Sequence, residues 1–590
     1  MSPKVLLICT PNYSIYMLNE EIAKIKNGIR DFTEEVDWRP ASPTGILYLS
    51  AELERENIQV DILDLHFQFY KCKMNGYFAD NNLQDFFEDF LVKFLENNNP
   101  NYVGISALFN TSFSTARDIS NLVKSYNKKT TVILGGNLPT YLYKKIYENN
   151  MIECDYMVLG EGEKSLSWLI LNADKENIGD LVSAHPHIVD RNSYLEPHKK
   201  LGIIYNLDDL SPPAHDKLPD LDSYLTGSAL SGRMGTTQRK GPEQGELAIV
   251  LFTSRGCPMP CTFCASWGVH GREFRTHSVE YVLEHIQDVV NKYDIKKLLI
   301  EDDIFNLSKK RTIEFCKKLT EKFNNRFTIE FPNGLACWTL DEEVIGWLKK
   351  AGVKTITLGI ESGSAYVQKN IIKKNINLKK VASVMETLQK YNIRARAFFI
   401  VGYIGETLPQ MEETIKFAQS IDVDWAEMKV FTPIVGSDMY EQAVNNGYLD
   451  PGDPYFEEHV YNRSNIGTDK FTAKQVKDVQ YNGNIRVNFL NNRDLRKGNY
   501  VQAEQTFGKL MKIYPDHLFA HWAHWKALMG QGKVVKAQES LEVIHELCKG
   551  NTKNIKLLEK YEIDLPALKD SESSTYLNSN KMYTGVGAPS

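Results

Sequence analysis

The chain has 590 residues, 42% of them hydrophobic, and its 69 Lys and Arg residues nearly balance 75 Asp and Glu residues, for a net charge of −6 at pH 7. This length predicts about four domains with sizeable cores, and the charge balance disfavours a protein that works mainly on nucleic acid. Nine cysteines are too few for a disulfide scaffold, no apolar run is long enough to span a membrane, and the N-terminal apolar stretch is too short for a leader, so we predict a cytoplasmic protein.

Strand and helix signals alternate over the first 170 residues. Buried-type strands are predicted at 5–9, 60–65, 102–108, 131–134 and 156–159. Such alternation predicts an α/β fold with a Rossmann-like, doubly wound and mostly parallel sheet, which we place at residues 1–200. Ligands of these sheets bind past the carboxyl ends of the strands, where the glycine-rich turns at 135–136 and 160–163 lie.

A second α/β region is predicted after an irregular linker and loop at 201–245. From 246 to 445 a strand is followed by a helix six times. The strands are predicted at 248–253, 297–301, 328–332, 355–360, 395–401 and 427–431. Six such units predict a partial (βα)6 barrel whose working face is at the carboxyl ends of the strands.

The rest of the chain is predicted to be helical, from 446 to 569. A Gly, an Ala and a large apolar residue recur after 34 residues, at Gly498, Ala503 and Phe507 and again at Gly532, Ala537 and Leu541. This period is that of the tetratricopeptide repeat, which we predict at about 485–550. A generic helical bundle is the alternative. The polar tail at 570–590 is predicted to be disordered.

Three of the nine cysteines, Cys257, Cys261 and Cys264, are crowded into the loop after the first barrel strand. A closed structural zinc site needs a fourth ligand, and the spacing to His270 is wrong for the common zinc modules. Three thiolates on one short loop instead suit three irons of a cubane cluster, and they leave the fourth iron open as a reaction site. The triad therefore predicts a [4Fe-4S] cluster.

This C-x3-C-x2-C spacing, with an aromatic residue before the last cysteine, resembles the signature of the radical S-adenosylmethionine (SAM) superfamily. Segments that end later strands match the same family, at 301–303, 359–363, 402–407 and 432–436. The resemblance implies that SAM chelates the open iron, and that one electron from an external reductant of flavodoxin or ferredoxin type cleaves it to a 5′-deoxyadenosyl radical. The SAM-binding residues that it implies are Phe263, Asp302, Glu361, Ser362, Arg396 and Gly402.

Two of these residues have a direct chemical reason to bind SAM. The carboxylate of Glu361 could accept a hydrogen bond from the SAM ammonium group, and the guanidinium of Arg396 could meet its carboxylate. Taken alone, however, Gly-x-Glu-x-Gly is more often a turn, and an arginine is as often on the surface. The barrel order of all the motifs favours the SAM interpretation.

The N-terminal domain resembles the cobalamin-binding domain of one radical SAM branch, and this resemblance extends from residue 1 to about 445. The matching segments are 43–49, 103–106, 134–139, 160–163 and 207–213. The cobalamin-binding residues that it implies are Thr10, Asn12, Ser106, Asn110, Thr111, Gly135, Gly136, Asn137, Gly160, Glu161 and Gly162. A Rossmann-type domain for another cofactor, or for none, is the alternative, although the missing Gly-x-Gly-x-x-Gly disfavours a dinucleotide.

One departure concerns the residue below cobalt. Many cobalamin domains carry Asp-x-His-x-x-Gly after the first strand, and its His ligates the metal. Here that loop is Cys-Thr-Pro-Asn at 9–12, without His. His66 stands in a similar Asp-Leu-His, but this follows the second strand and lacks the Gly. We therefore predict that His66 is structural.

The combined motifs resemble cobalamin-dependent radical SAM methyltransferases. The resemblance implies that one SAM methylates cobalamin, that a second SAM gives the radical that abstracts hydrogen, and that the substrate radical takes the methyl group. We predict methylation of an unactivated carbon, or phosphorus, of a small-molecule or peptide substrate, because such a carbon is no nucleophile. No side-chain acid or base is assigned.

Two alternatives stay open. A cobalamin-containing radical SAM cyclase or rearrangement enzyme shares all of these motifs. A non-enzymatic adaptor, acting on a protein partner through the helical repeats, is disfavoured by the intact cysteine triad. A tRNA-modifying enzyme is disfavoured because the chain shows no basic accessory domain.

Overall fold

The computed structural model describes residues 3–28, 42–230, 247–450 and 466–566. The chain divides into two compact units, Met1–Arg493 and Asp494–Ser590. Within the described ranges no helix has both the length and the apolar character needed to cross a bilayer. The predicted disordered tail and the part of the predicted loop from 231 to 245 lie outside the described residues.

The first unit opens with a six-stranded sheet in the order β2-β1-β3-β4-β5-β6. Its strands are β1 (Lys4–Cys9), β2 (Gln59–Asp64), β3 (Tyr102–Ser106), β4 (Thr131–Gly135), β5 (Tyr156–Val158) and β6 (Ile188–Val189). The first five are parallel, and β6 runs antiparallel to β5. The predicted doubly wound α/β sheet is therefore confirmed. The edge strand β6 was missed because two residues give no periodic signal.

Helices cover both faces of this sheet. They span Ile15–Lys26, Thr44–Arg55, Leu65–Met74, Leu83–Phe87 continuing through Lys93–Asn98, Phe113–Tyr126, Asn137–Glu148, Glu163–Asn172 and Ile178–Ala184. Because the sheet is covered twice, the middle of β1 reads as an unbroken apolar run in which Val5, Leu6, Leu7 and Ile8 are all buried. The helix Leu221–Leu230 leads on to the second sheet.

The strands of the second sheet begin at Leu247. They are β7 (Leu247–Leu251), β8 (Ser254–Arg255), β9 (Arg275–Thr276), β10 (Ile295–Ile300), β11 (Thr328–Glu330), β12 (Thr355–Glu361), β13 (Arg394–Val401) and β14 (Trp425–Val430). Parallel trios β7-β10-β11 and β12-β13-β14 are joined by parallel bridges from Ile329 to Val353 and from Leu335 to Leu358. The six long strands thus form the predicted partial (βα)6 barrel. β8 and β9 form a separate antiparallel pair.

Helices follow the six long barrel strands as predicted, at Val279–Lys292, Lys309–Phe323, Glu342–Lys350, Leu378–Lys390, Leu408–Ser420 and Asp438–Asn445. The short helix Trp267–His270 was not predicted. Side chains just before several of the predicted helices accept a backbone N–H of the first turn. Ser278 accepts from Tyr281 at 3.1 Å, and Asp341 accepts from Val344 at 3.0 Å. Each such cap is worth about 1 kcal/mol, which explains why the helix starts could be predicted.

The open edge of the barrel, strand β14, is covered by the helix Ala473–Asn484, which continues through Ile485–Leu490. The Asn488 amide donates to the carbonyl of Ala426 at 2.7 Å and accepts from its N–H at 2.8 Å. Gln480 donates to the carbonyl of Met428 at 2.8 Å. These side chains take the place of a neighbouring strand. The helix therefore belongs to the first unit, although the sequence grouped it with the C-terminal helices.

The hydrogen bonds of Asn488 to the edge strand β14, called here the edge seal, can be tested by mutation. Asn488→Ala leaves a buried N–H and carbonyl of β14 unpaired and should lower the free energy of unfolding by about 2 kcal/mol. Thermal or denaturant unfolding followed by circular dichroism measures the change, with the exposed Asn445→Ala as the control. Deleting residues 468–590, which include the helix that covers β14, should reduce solubility. Equal stability of Asn488→Ala and the control would contradict the seal.

The second unit consists of the helices Tyr500–Ile513, Leu518–Gly530, Val534–Cys548 and Thr552–Lys560. Residues 34 positions apart are equivalent in it. Ala503 and Ala537 are both buried, and Gly498 and Gly532 adopt φ of +74° and +72° before the first and third helices. The helical character of the region is confirmed. Its identity as tetratricopeptide-like repeats stays a prediction, which this equivalence supports.

Candidate functional site

The three cysteines lie in the loop between β8 and the short helix Trp267–His270, just past the carboxyl end of β7. The pairing of β8 with β9 closes this loop at its base. Gly256 precedes the first cysteine with a φ of +83°, and a Cβ there would overlap the carbonyl of Glu273, so only glycine fits. The N–H of Cys264 donates to the carbonyl of Cys261 at 3.2 Å, which turns the loop back on itself.

Residue Thr262 ties the cysteine loop to two other loops of the barrel. Its N–H donates to the carbonyl of Ile372 at 3.2 Å, and its hydroxyl donates to the carbonyl of Ile371 at 2.8 Å. Its own carbonyl accepts from the N–H of Met439 at 2.9 Å. The loop is therefore held from both sides by hydrogen bonds of the chain itself, which favours a ligand set of defined geometry.

Cys261 is buried, Cys257 and Cys264 are partly buried, and all three thiols are influenced by a cation. Burial raises the pKa of Cys257 and Cys264, and it raises that of Cys261 to about 12, while the Lys374 ammonium opposes the shift at each. Iron would ionise them by direct coordination. Among the described residues no three His, Cys, Asp or Glu side chains converge on a single-metal position. Three thiols on one loop therefore fit the predicted cubane cluster, in which each holds a different iron.

Glu361, a predicted SAM contact, lies at the end of β12 with a φ of +71°, a left-handed conformation that is uncommon outside glycine. Its Oε1 accepts from Nζ of Lys374 at 2.9 Å, and both side chains are largely buried. Both charges act on the thiol of Cys261. Strained backbone of this kind gathers at ligand sites. Direct contact of Glu361 with SAM stays a prediction, which this geometry supports.

The predicted residues Phe263 and Gly402 lie on facing loops. The ring of Phe263 is 5.6 Å, between centroids, from the ring of Tyr403. Gly402 has a φ of +87°, and a Cβ there would lie 2.6 Å from the side chain of Val476. The position therefore requires glycine for the packing of the chain itself, and its contact with SAM stays a prediction.

Asp302 is positioned to support the cysteine loop. Its carboxylate accepts from the N–H and the hydroxyl of Thr253, both at 2.6 Å, and from the hydroxyl of Ser254 at 2.7 Å. Both oxygens are thus occupied in a buried site. The residue fixes the end of β7 where the chain enters the loop. A direct SAM contact through this carboxylate stays a prediction, and the structure offers no free oxygen for it.

Ser362 and Arg396 are also engaged within the protein. The Ser362 hydroxyl lies 3.0 Å from that of Thr414 and accepts from the N–H of Ser364 at 3.1 Å. Arg396 forms a buried ion pair with Glu427 on the neighbouring strand β14. These bonds link adjacent units of the barrel. SAM binding by either residue stays a prediction.

The polar groups predicted for cobalamin collect where the strand order reverses, between β1 and β3, which is the ligand-binding position of such sheets. The hydroxyl of Thr10 donates to the Ser106 carbonyl at 2.9 Å, and that of Thr111 donates to the Asn12 carbonyl at 2.6 Å. Four side chains remain partly exposed: Asn12, Ser106, Asn110 and Asn137. Within the described residues no hydrogen bond uses these four, so they are available to the amides of a corrin ring.

The predicted glycines differ in what surrounds them. No atom lies within 4 Å of a Cβ built on Gly135, so its face is open to a ligand. At Gly136 and Gly160 a Cβ would lie 2.6 Å from the carbonyls of Ala107 and Gly202, respectively. Gly136 and Gly160 thus allow close backbone approach within the domain, whereas a Cβ on Gly162 would only touch side chains, the nearest being that of Leu49 at 3.4 Å. Their contact with cobalamin stays a prediction.

Glu161, predicted as a cobalamin contact, instead directs its carboxylate into the barrel. Arg275 on β9 donates to it twice, at 2.8 and 2.7 Å, His270 Nδ1 lies 3.1 Å away, and the N–H of Ile204 donates at 2.6 Å. Burial opposes ionisation, but His270 and Arg275 lower the pKa of Glu161 to about 2. His270 thus belongs to this network.

The contacts of Glu161 with Arg275 and of Glu163 with Arg255 form a junction between the N-terminal domain and the barrel. Further contacts reach both ends of the cysteine loop. Arg255 on β8 donates to Glu163 at 2.6 Å in a buried pair. Tyr141, on the helix after the Gly135 turn, donates its hydroxyl to the carbonyl of Ala265, next to the last cysteine. The N-terminal domain is therefore joined to the cysteine loop through charged and polar groups that sequence reasoning did not pair.

His66 lies on the helix Leu65–Met74, in a buried position. Its Nδ1 accepts from the N–H of Asn12 at 3.4 Å, and its ring stacks on Tyr13 at 5.7 Å between centroids. These contacts hold the loop after β1, in agreement with a structural role.

Comparisons with known proteins agree with this geometry. The family model of the radical SAM superfamily matches residues 251–418, and that of the B12 binding domain matches residues 40–170. An uncharacterized methyltransferase of Pyrococcus horikoshii is 29% identical over 412 residues, which cover 69% of this chain and 79% of the relative. The cytidylyl-2-hydroxyethylphosphonate methyltransferase of Streptomyces wedmorensis is 25% identical over 454 residues, covering 71% and 80%.

A solved structure shares the fold. The radical SAM methyltransferase TsrM from Kitasatospora setae, with cobalamin and a [4Fe-4S] cluster bound, superposes with a TM-score of 0.53 at 16% identity, over 77% of this chain and 80% of that one. The chain is thus an enzyme with a B12-binding domain before a radical SAM domain. The predicted cofactors, a [4Fe-4S] cluster, SAM and cobalamin, are confirmed.

Proposed function

We propose that this radical SAM enzyme is a cobalamin-dependent methyltransferase that acts on an unactivated carbon, or phosphorus, of a small-molecule or peptide substrate. The observation that carries the proposal is the buried junction of Glu161 with Arg275 and of Glu163 with Arg255. It joins the cobalamin domain to the base of the cysteine loop. Two relatives that align over most of this chain are named methyltransferases.

The residues divide the work between the two cofactor sites. Cys257, Cys261 and Cys264 would hold the cluster, and the pair of Glu361 with Lys374 would face the charged end of SAM. The four available polar side chains at the β1–β3 edge would bond the corrin amides. When bound, the cluster supplies the electron that cleaves SAM, and cobalamin carries the methyl group.

The contribution of the chain to the reaction is positioning. Because ion pairs of fixed geometry connect the two sites, the junction would keep the methyl carrier and the SAM site at one separation. The buried ion pairs of the junction would also help to keep water from the space between the domains. No side-chain acid or base is needed for either task.

The proposal includes features outside the two sites. An external one-electron reductant of flavodoxin or ferredoxin type would feed the cluster, and a reducing cytoplasmic location would suit free thiols. The helices of the second unit would bind a protein or peptide partner, since stacked helix pairs present extended surfaces.

The products of SAM cleavage test the proposed activity. Anaerobically reconstituted enzyme is incubated with a low-potential reductant, SAM and candidate substrates, and products are quantified by mass spectrometry. A methyltransferase should form S-adenosylhomocysteine and 5′-deoxyadenosine in step with a methylated product. 5′-Deoxyadenosine with a cyclised or rearranged product would favour the cyclase alternative. Protein without iron or SAM cleavage would favour the adaptor.

The residue below cobalt gives an independent prediction. His66 is held in the protein by Asn12 and Tyr13, so electron paramagnetic resonance of the cob(II)alamin form should show no nitrogen coupling from a protein His. The spectrum of His66→Ala, after reloading with cobalamin, should be the same. A nitrogen splitting in the unmodified enzyme that disappears in His66→Ala would assign His66 as the ligand.

A further inference from the structure

Tyr403 is fully buried in the loop that follows β13, beside the cysteine loop. Its ring is held between those of Phe263, at 5.6 Å, and Phe431, at 5.4 Å between centroids. Its backbone N–H donates to Oε2 of Glu406 at 3.0 Å. Both the ring and the main chain are thus fixed, and the direction of the hydroxyl is fixed with them.

The hydroxyl of Tyr403 has no hydrogen-bond partner within the described residues. Oε1 of Glu406 is also without one, so these two neighbours do not satisfy each other. A buried hydroxyl without an acceptor costs stability, so such a group in a native protein calls for an explanation, of which a role at a redox or catalytic site is one. Within the described residues, the protein itself supplies no acceptor for the Tyr403 hydroxyl.

The surroundings keep this hydroxyl a donor. Burial raises the pKa of Tyr403 well above its ordinary value, and the negative charges of Glu361, Glu406 and Cys261 act in the same direction. The proton therefore stays on the oxygen. Because the Tyr403 ring packs against Phe263, which lies between Cys261 and Cys264 in the chain, Tyr403 borders the cysteine loop.

We propose that the Tyr403 hydroxyl donates a hydrogen bond to a sulfur of the [4Fe-4S] cluster, at Cys261 or at an adjacent sulfide, and thereby raises the reduction potential of the cluster. The inference rests on the proposed function, because it needs the cluster. Hydrogen bonds to the sulfurs stabilise the reduced, more negative state, and they are among the main determinants of such potentials. Tyr403 is then a positioning and tuning residue of the cluster.

The test compares midpoint potentials of the reconstituted full-length enzyme, titrated anaerobically without SAM and followed by electron paramagnetic resonance. Tyr403→Phe removes one oxygen and keeps the ring, so its cluster should have a more negative potential. Tyr440→Phe, another buried tyrosine in the same apolar core, should leave the potential unchanged. An unchanged potential in Tyr403→Phe overturns the proposal, and so does a variant that changes only the affinity for SAM.

Two further measurements keep the outcomes separable. Iron and sulfide contents of the unmodified enzyme test the proposed function itself, since without a cluster there is no potential to compare. If Tyr403→Phe binds too little iron, 3-fluorotyrosine at position 403 provides a stronger donor of nearly the same shape. It should move the potential upward, and an unchanged or lower value would overturn the hydrogen bond.

Discussion

Enzyme in which Cys257, Cys261 or Cys264 is replaced by Ala should lose most of its iron and all cleavage of SAM. Each thiolate would hold a different iron, so the loss of one would leave two anchors for a cluster that needs three. Iron and sulfide assays with quantification of 5′-deoxyadenosine measure both effects.

The control for this experiment is a cysteine outside the loop. Cys316 is fully buried on the helix Lys309–Phe323, so Cys316→Ala disturbs packing but should keep both iron and SAM cleavage. A variant with all three loop cysteines replaced by Ala that still forms 5′-deoxyadenosine would contradict the assignment.

Replacing Glu161 should have the second largest effect, on stability. Its side chain is fully buried, and that of its partner Arg275 is 3% exposed. Glu161→Gln leaves this arginine without its charge partner and should cost about 3 kcal/mol of the free energy of unfolding. Denaturant unfolding of the cofactor-free protein measures it. Glu342→Gln, which breaks the exposed pair with Lys390, is the control and should leave the free energy of unfolding nearly unchanged, because exposed ion pairs contribute little.

The pH dependence of this effect has a definite sign. Glu161 has a folded-state pKa of about 2, against 4.5 when unperturbed. Its contribution to stability is therefore complete above pH 4.5 and is lost as the pH falls towards 2. The difference between unmodified protein and Glu161→Gln should shrink over that interval. A difference that grows on acidification would mean that the carboxylate is not held ionised by the junction.

A double variant separates the pair from the packing around it. In Glu161→Gln combined with Arg275→Met, no buried charge is left without a partner. Its loss of stability should therefore be smaller than the sum of the two single losses. Additive losses would indicate that the two side chains act independently.

Most of the fold could be predicted because its signals are local. Strands buried on both faces give unbroken apolar runs, as in β1, and helix starts are marked by caps such as Ser278. The helix Leu65–Met74 was missed because it follows β2 without a turn and buries residues all around its axis. The pair β8–β9 was missed because each strand has only two residues.

In the candidate site too, local features could be predicted from the sequence and long-range contacts could not. The cysteine triad is local in sequence, so its spacing alone indicated a cluster. The roles of side chains whose partners are distant in the sequence could not be predicted from the sequence. Asp302 is occupied by Thr253, and the carboxylate of Glu161 by Arg275, whose positions only the folded chain brings together. The sequence did not single out Tyr403, because a hydroxyl without a hydrogen-bond partner points to a site only when the structure shows that it is buried.

Methyl transfer through cobalamin is tested most directly with SAM that carries a trideuterated methyl group. Reconstituted holoenzyme is incubated with it anaerobically, and cobalamin is then extracted in the dark for mass spectrometry. We expect the deuterated methyl group on cobalamin, with an equal amount of S-adenosylhomocysteine. Cobalamin that stays unlabelled while 5′-deoxyadenosine accumulates would contradict a methyltransferase and leave the cyclase or rearrangement alternative.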